Sequence, residues 1–227
     1  MRLRHTLALI TLIGVLLIGP AMASLHALET EEGRLRLTLH EDIGRFSLHY
    51  LADLQNERYE PLLYDRDPRT TMLSIFADNS VFRMGESPRF SLEVTENEIG
   101  PAFVWSSGLL RIRQQFEIIR AEDARLANGV EITLTITNTA ERELRVGAAY
   151  VLDTALGEDE EVHFRTPEQE SYSQETRLTH SSDLSYWVSP AASFPKVGLQ
   201  FALRGRNITE PSEVIFANWK RLSQRPW

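Results

Sequence analysis

The 227-residue chain is predicted to be an all-β protein, an antiparallel β-sandwich in a single domain with little helix beyond its first residues. Three observations lead to this fold class. Most apolar residues recur with a period of two, which is the spacing of a strand with one buried face. Turn-forming residues separate these segments at intervals of about 8–12 residues. Residues 121–127, the one internal segment with helix propensity, are too few for more than one or two turns.

The alternation begins in two segments, 35–39 and 46–50, which flank a turn-like stretch and are predicted to pair as an N-terminal hairpin. The polar segment 166–182 is predicted to be a long loop or a weak edge strand. Further strands are predicted at 72–76, 81–84, 90–94, 102–105, 110–118, 186–188, 197–203 and 214–216. No internal repeat or linker divides the chain.

The clearest strand pattern lies in residues 130–136, where Val, Ile, Leu and Ile alternate with Glu and Thr. A polar turn at 138–142 precedes a second apolar segment, 144–152, so the two segments are predicted to form a hairpin. The second strand leads into an acidic run at 158–161. The hairpin would therefore bring the densest group of carboxylates to one rim of a sheet.

Residues 1–23 have the organisation of a secretory signal peptide. Arg2 and Arg4 precede an apolar segment, 7–18, and the small-residue site Ala21-Met22-Ala23 follows. A membrane anchor is the alternative, but the apolar segment is shorter than the roughly 20 residues of a spanning helix. We therefore expect cleavage after Ala23, a β-sandwich domain at 24–227, and no stable membrane span after cleavage.

The C-terminus leaves two alternatives open. The chain ends at Trp227 shortly after a predicted turn, with no obvious closing strand. This is either a natural end or a truncated domain with an open sheet edge.

Composition excludes several classes of function. Removing Arg2 and Arg4 with the signal peptide changes the formal net charge from −8 to −10. Such an acidic protein repels nucleic acid and anionic lipid. The chain has no cysteine, so disulfides, lipidated cysteines and thiolate metal sites are excluded. We therefore expect a soluble exported protein whose partner is a protein or a glycan.

The acidic run is the first candidate site. Carboxylates on a flexible loop are the ligands that Ca²⁺ prefers, so Asp153, Glu158 and Asp159 are candidate calcium ligands. The spacing does not match an EF-hand, and a run of like charges is often simply solvated. A glycosidase-like carboxylate pair, Asp153 with Glu158 or Glu161, is a further hypothesis.

Aromatic residues form the second candidate site. Tyr172, Tyr186, Trp187 and Trp219 are candidates for a platform that stacks sugar rings. The alternative is that Trp105, Trp187 and Trp219 fill the core. The complete set of candidate ligand-binding residues is Asp153, Glu158, Asp159, Glu161, His163, Tyr172 and Trp187.

No catalytic motif is present, so the sequence predicts no catalytic residue. It contains neither a G-x-S-x-G elbow, nor an H-E-x-x-H pair, nor a glycine-rich phosphate loop. No two of the remaining histidines lie at a metal-ligand spacing on one predicted strand, so we interpret them as solvent-facing polar residues. They are His26, His40, His49, His163 and His180.

Two motifs resemble those of a family of uncharacterised exported bacterial β-sandwich proteins, spirochaete ones among them. These are LDTALG at 152–157 and ANWKRL at 217–222, and the resemblance covers 131–227. In that family the chain usually continues past the tryptophan. The hairpin predicted at 130–152 is distantly similar to those of galactose-mutarotase-type supersandwiches. Those enzymes use histidines and a glutamate, which this segment does not match, so the resemblance implies no catalysis.

The sequence thus predicts an exported, non-enzymatic sandwich with a structural or interaction role in the periplasm or cell envelope. The alternative is a carbohydrate-binding or carbohydrate-active module that uses the acidic rim and nearby aromatics. A glycan site would require Trp187 or Tyr172 to be exposed beside Asp153. Buried tryptophans would favour the structural role.

Overall fold

The computed structural model describes residues 27–157, 163–167, 171–172, 174–179, 184–190 and 197–224. Almost all regular structure in these ranges is β-strand, and the strands pair antiparallel. The predicted all-β, sandwich-like fold class is confirmed. The predicted signal peptide lies outside the described residues.

The first sheet contains four strands in chain order. They are β1 (Ala27–Glu32), β2 (Leu35–His40), β3 (Arg45–Asp53) and β4 (Arg58–Pro61). Strand β2 pairs with β3 as the predicted N-terminal hairpin requires, with Leu37 opposite Leu48.

The chain then passes through a 3-10 turn, Pro68–Thr70, into two further sheets. Their strands are β5 (Met72–Ala77), β6 (Ser80–Arg83), β7 (Ser91–Asn97), β8 (Gly100–Ser106), β9 (Leu110–Ile119), β10 (Gly129–Asn138) and β11 (Val146–Val151). One sheet has the order β10-β9-β8-β7 and the other the order β11-β5-β6.

The last part of the chain forms two short strand pairs. The elements are β12 (Thr176–Thr179), β13 (Tyr186–Pro190), β14 (Gly198–Ala202), β15 (Glu213–Phe216) and the helix α1 (Trp219–Gln224). Strand β12 pairs with β15, and β13 pairs with β14.

The hydrophobic core lies between the inner faces of the sheets. Its largest side chains, Phe103, Trp105 and Phe116, are at most 1 % exposed, and Phe46 meets Phe116 edge-on at a centroid distance of 4.9 Å. Each fully buried side chain of this size contributes about 1.5–3 kcal/mol. The leucines of β2 are also buried because the alternating pattern turns them all to one face.

The hairpin predicted at 130–152 is wrong. Strand β10 pairs with β9, whereas β11 pairs with β5 in another sheet. Next to the β11–β5 pair, the carboxylate of Asp78 at the β5–β6 turn accepts hydrogen bonds from Arg145 N (3.0 Å) and Arg142 Nη1 (2.7 Å). These bonds lower the pKa of Asp78. The distant similarity to mutarotase-type sandwiches was drawn from this hairpin and loses that support.

Two further segments show how local pattern and tertiary cover combine. Residues 121–127 form no helix but a turn, in which Ala124 N bonds to Ala121 O at 3.0 Å. Leu134, at the centre of the clearest strand, packs against the core but is only half-buried. The reason is that β10 lies at the edge of its sheet, where it has one neighbouring strand among the described residues.

Candidate functional site

The predicted site residue Asp153 lies just after β11 and is only 8 % exposed. Its backbone joins two segments, because Asp153 N donates to Thr71 Oγ1 (3.3 Å) and Asp153 O accepts from Tyr64 N (2.8 Å). Leu63 and Thr154 form an isolated bridge beside it. Asp153 is therefore part of a junction between β11 and the segment that precedes β5.

A buried polar cluster continues from this junction. Thr154 Oγ1 lies 3.0 Å from His163 Nε2, and Ser189 Oγ donates to Leu156 O at 2.9 Å and contacts Thr154 Oγ1 at 3.4 Å. Thr154 is 2 % exposed and Ser189 is fully buried. Both hydroxyls are closed to solvent, so the arrangement connects β11 to β13 and offers a substrate no accessible nucleophile.

Gly157 allows His163 and Pro190 to pack closely against the end of β11. Its φ of +81° is a conformation that favours glycine, and a Cβ there would stand 3.1 Å from His163 Cα and 3.3 Å from Pro190 O. Any side chain would therefore push His163 and β13 away from the end of β11.

Five rings form what we call the C-terminal aromatic layer: Phe164, Tyr172, Trp187, Phe201 and Phe216. Trp187 is 6 % exposed and stacks on Phe201 at 4.7 Å, with an angle of 9° between the rings. Tyr172 is half-buried, stacks on Phe216 at 5.0 Å and bonds through its hydroxyl to Thr166 Oγ1 at 3.3 Å. Phe164 contacts both Trp187 (5.5 Å) and Phe216 (4.9 Å). This layer joins the two short strand pairs.

The structure thus brings four of the seven predicted site residues into one region. His163 contacts Thr154, next to Asp153, and stacks on Phe164 at 4.3 Å, while Tyr172 and Trp187 surround Phe164 from the other side. The other three, Glu158, Asp159 and Glu161, lie outside the described residues, as do Glu160 and the side chain of Trp219. The calcium site therefore stays a prediction. Among the residues that the structure describes, no three acidic or histidine side chains are grouped to hold a metal.

The sequence interpretation missed a second polar group, on the outer face of the first sheet. His40 Nε2 lies 2.8 Å from Ser47 Oγ, and His49 Nε2 lies 3.5 Å from Asp65 Oδ2. Both histidines are half-buried rather than solvent-facing. Burial lowers the pKa of His40; the nearby carboxylate of Asp42 raises it and His49 lowers it further.

This group does not form a reactive dyad, because Ser47 is only 4 % exposed. A signal for it was present in the sequence. Once 35–39 and 46–50 pair as a hairpin, His40, Ser47 and His49 fall on the face opposite the leucines. Spacing along one strand does not reveal such neighbours, because His40 and Ser47 lie on two paired strands.

A shallow depression lies between β12, β15 and the segment after β14. Its enclosed volume is about 20 Å³, and its lining includes Leu178, Leu184, Leu203 and the ion pair Arg204–Glu210 (3.3 Å). Small-molecule sites usually measure about 300–1,000 Å³ and are well enclosed. The depression therefore does not have the form of a ligand pocket.

No family model, curated protein or solved structure matches the chain. In the part of the chain that the structure describes, no helix has both the length and the apolar character needed to cross a bilayer. The case for a function therefore rests on the residues and contacts given above.

Proposed function

We propose that this protein is an exported, non-enzymatic β-sandwich module with a structural or interaction role in the periplasm or cell envelope. The observation that carries the proposal is the burial of Trp187, which is 6 % exposed and stacked on Phe201. This ring is one of the four candidates that the sequence offers for a sugar platform. Instead it contributes to the contacts that hold β13, β14 and β15 together.

The surrounding side chains support the same role. His163 is engaged by Thr154, and Tyr172 has one ring face against Phe216. Asp153 is buried at a junction of three segments. The side chains that would have to face a substrate instead contact other strands of the same chain. This arrangement favours a structural module over a reactive cleft.

Export is the part of the proposal that rests on the first 23 residues. Cells that express the full chain should deliver it to the periplasmic or envelope fraction, and intact-mass measurement should show loss of residues 1–23. A purified protein that retains segment 7–18, or that stays in the cytosolic fraction, would contradict export.

A second experiment tests the alternative function, glycan binding. The purified protein is titrated with soluble oligosaccharides of the cell envelope and binding is followed by calorimetry and tryptophan fluorescence. We expect no saturable binding, because Trp187 offers no open ring face. Saturable binding that Tyr172→Ala abolishes without lowering the melting temperature would replace the structural module by the carbohydrate-binding one.

A further inference from the structure

Strand β10 is an open sheet edge of unusual composition. It pairs with β9 over ten residues without a register shift, and within the described residues no strand lies on its other side. Natural edges are usually protected by proline, lysine, a bulge or short length. Strand β10 has none of these, and Glu131 is its only charged residue.

The hydrogen-bonding groups on this open edge can be assigned. Thr139 N donates to Leu109 O at 2.9 Å, one step beyond β10 and in the same register. In an antiparallel ladder such bonded pairs alternate along the strand. The odd-numbered residues of β10 therefore bond to β9. The even-numbered ones, 130 to 138, direct their N–H and C=O groups outward.

Four of the five residues whose backbone groups point outward are apolar, and the fifth is Asn138. Val130, Ile132, Leu134 and Ile136 pack against the core on one side but are only half-buried. A further strand along this edge would cover the rest of their surface as well as pair their backbone groups. The edge therefore lacks both hydrogen-bond partners and apolar cover at the same positions.

The charges along the β9–β10 ladder indicate which kind of strand would pair with the open edge of β10. At one end of the β9–β10 ladder Glu131 lies directly opposite Glu117, two like charges that destabilise the pair. At the other end Arg111 and Arg113 lie opposite Thr137 and Thr135. Within the described ranges neither glutamate has an ion-pair partner, and Arg111 has none either.

We propose that β10 pairs with β10 of a second copy of this chain, antiparallel about a two-fold axis at Leu134. In this register Leu134 meets Leu134 of the second copy, and Ile132 meets Ile136 of the second copy. Glu131 then lies opposite Thr137 of the second copy, with Arg111 of that copy on the next strand. The acidic end of each ladder thus faces the basic end of the other, and the two four-stranded sheets become one sheet of eight.

The other edge strands of the described residues suit this pairing less well. Strand β11, at the edge of its sheet, is uncharged but has six residues against the ten of β10. Strand β1 carries Glu29, Glu31 and Glu32 within six residues, and β7 carries Glu93 and Glu96. A two-fold antiparallel pair of β1 about Thr30 would place Glu29 opposite Glu31 of the second copy, two like charges. The interface goes beyond the proposed module role and does not depend on export.

The test is the mass of the purified protein in solution, measured by sedimentation over a wide concentration range. We expect a reversible dimer. Glu131→Arg and Arg111→Glu should each weaken dimerisation by roughly tenfold or more, because the two-fold axis makes each change count twice. The double variant should restore it. Glu131 and Arg111 lie at opposite ends of one ladder, so compensation within a single chain does not explain such a rescue.

The matched control is Glu93→Arg on β7 at the opposite edge of the same sheet, which should leave dimerisation unchanged. Glu93 and Glu131 are both exposed, so neither charge reversal removes a buried contact. A monomer at every concentration would overturn the proposal. So would a dimer that Glu93→Arg weakens as much as Glu131→Arg, or one that the double variant fails to restore.

Discussion

The sandwich core and the C-terminal aromatic layer hold β-strands together in different ways. In the core, strands of six to ten residues turn a regular row of apolar side chains inward, as Leu35, Leu37 and Leu39 do in β2. In the aromatic layer, strands of four or five residues are too short for such a row. A few large rings and a buried polar cluster take its place. The comparison shows that regular patterning suffices for long strands, whereas short ones depend on individual contacts.

The largest effect is expected in the core. Phe116→Ala should lower the free energy of unfolding by about 3–5 kcal/mol, because it removes a ring with no exposed surface that contacts Phe46 and Phe103. Urea unfolding monitored by circular dichroism measures this. Ile119→Ala, on the same strand but 37 % exposed, is the control and should have a small effect. Equal losses for the two variants would contradict this account of the core.

Trp187→Ala should be nearly as costly but should act locally. Loss of a buried tryptophan costs about 3–5 kcal/mol. Since the ring contacts Phe164, Phe201 and Phe216, hydrogen exchange should quicken first in β13 to β15 and leave β2 and β9 protected. Tyr186→Ala, at an exposed neighbouring position, should change little. Uniformly faster exchange across all sheets would show that the aromatic layer is not a separate unit.

Leu134→Ala tests the edge of the core. A fully buried leucine costs about 2–5 kcal/mol on truncation, and a half-buried one should cost about 1–2 kcal/mol. The measurement is urea unfolding at a protein concentration low enough to keep the chain monomeric. A loss as large as that of Phe116→Ala would mean that β10 is covered on its open side.

Asp153→Asn tests the junction between β11 and the segment that precedes β5. A buried carboxylate must be hydrogen-bonded or paired, so the change should destabilise the protein by roughly 1–3 kcal/mol in the presence or absence of calcium. Glu98→Gln, at an exposed turn, is the matched control. We expect calcium not to change the melting temperature of the parent protein. A rise of several degrees that Asp153→Asn removes would assign calcium to the acidic run, because a ligand of the folded state stabilises it by mass action.

The smallest effect concerns pH. Burial first of all lowers the pKa of His40 below its ordinary value of 6.5, so the unfolded chain binds a proton at a higher pH than the folded one. The contribution of His40 is therefore fully present above about pH 6.5 and is lost as the pH falls through the lower, folded-state value. The fall in melting temperature between neutral and mildly acidic pH should be smaller in His40→Gln. An equal fall in both proteins would exclude His40 as the cause.

Much of the fold was predictable because period-two alternation is a local property. The leucines of β2, the N-terminal hairpin and the all-β class follow from residues that lie next to one another in the chain. The predicted hairpin at 130–152 failed for a nonlocal reason. Its turn residues suit a reversal, but β11 pairs with β5, more than 60 residues away, and Asp78 after β5 bonds to Arg142 and Arg145.

The candidate site shows the same division. The sequence by itself selected Asp153, His163, Tyr172 and Trp187, because carboxylates, imidazoles and rings are recognisable as residue types. Only the tertiary structure decided that Asp153 and Trp187 face inward, that His163 meets Thr154, and that His40 meets Ser47. The physical reason is that alternation fixes which residues share a face of one strand. Which other strand covers that face depends on contacts between residues distant in the chain.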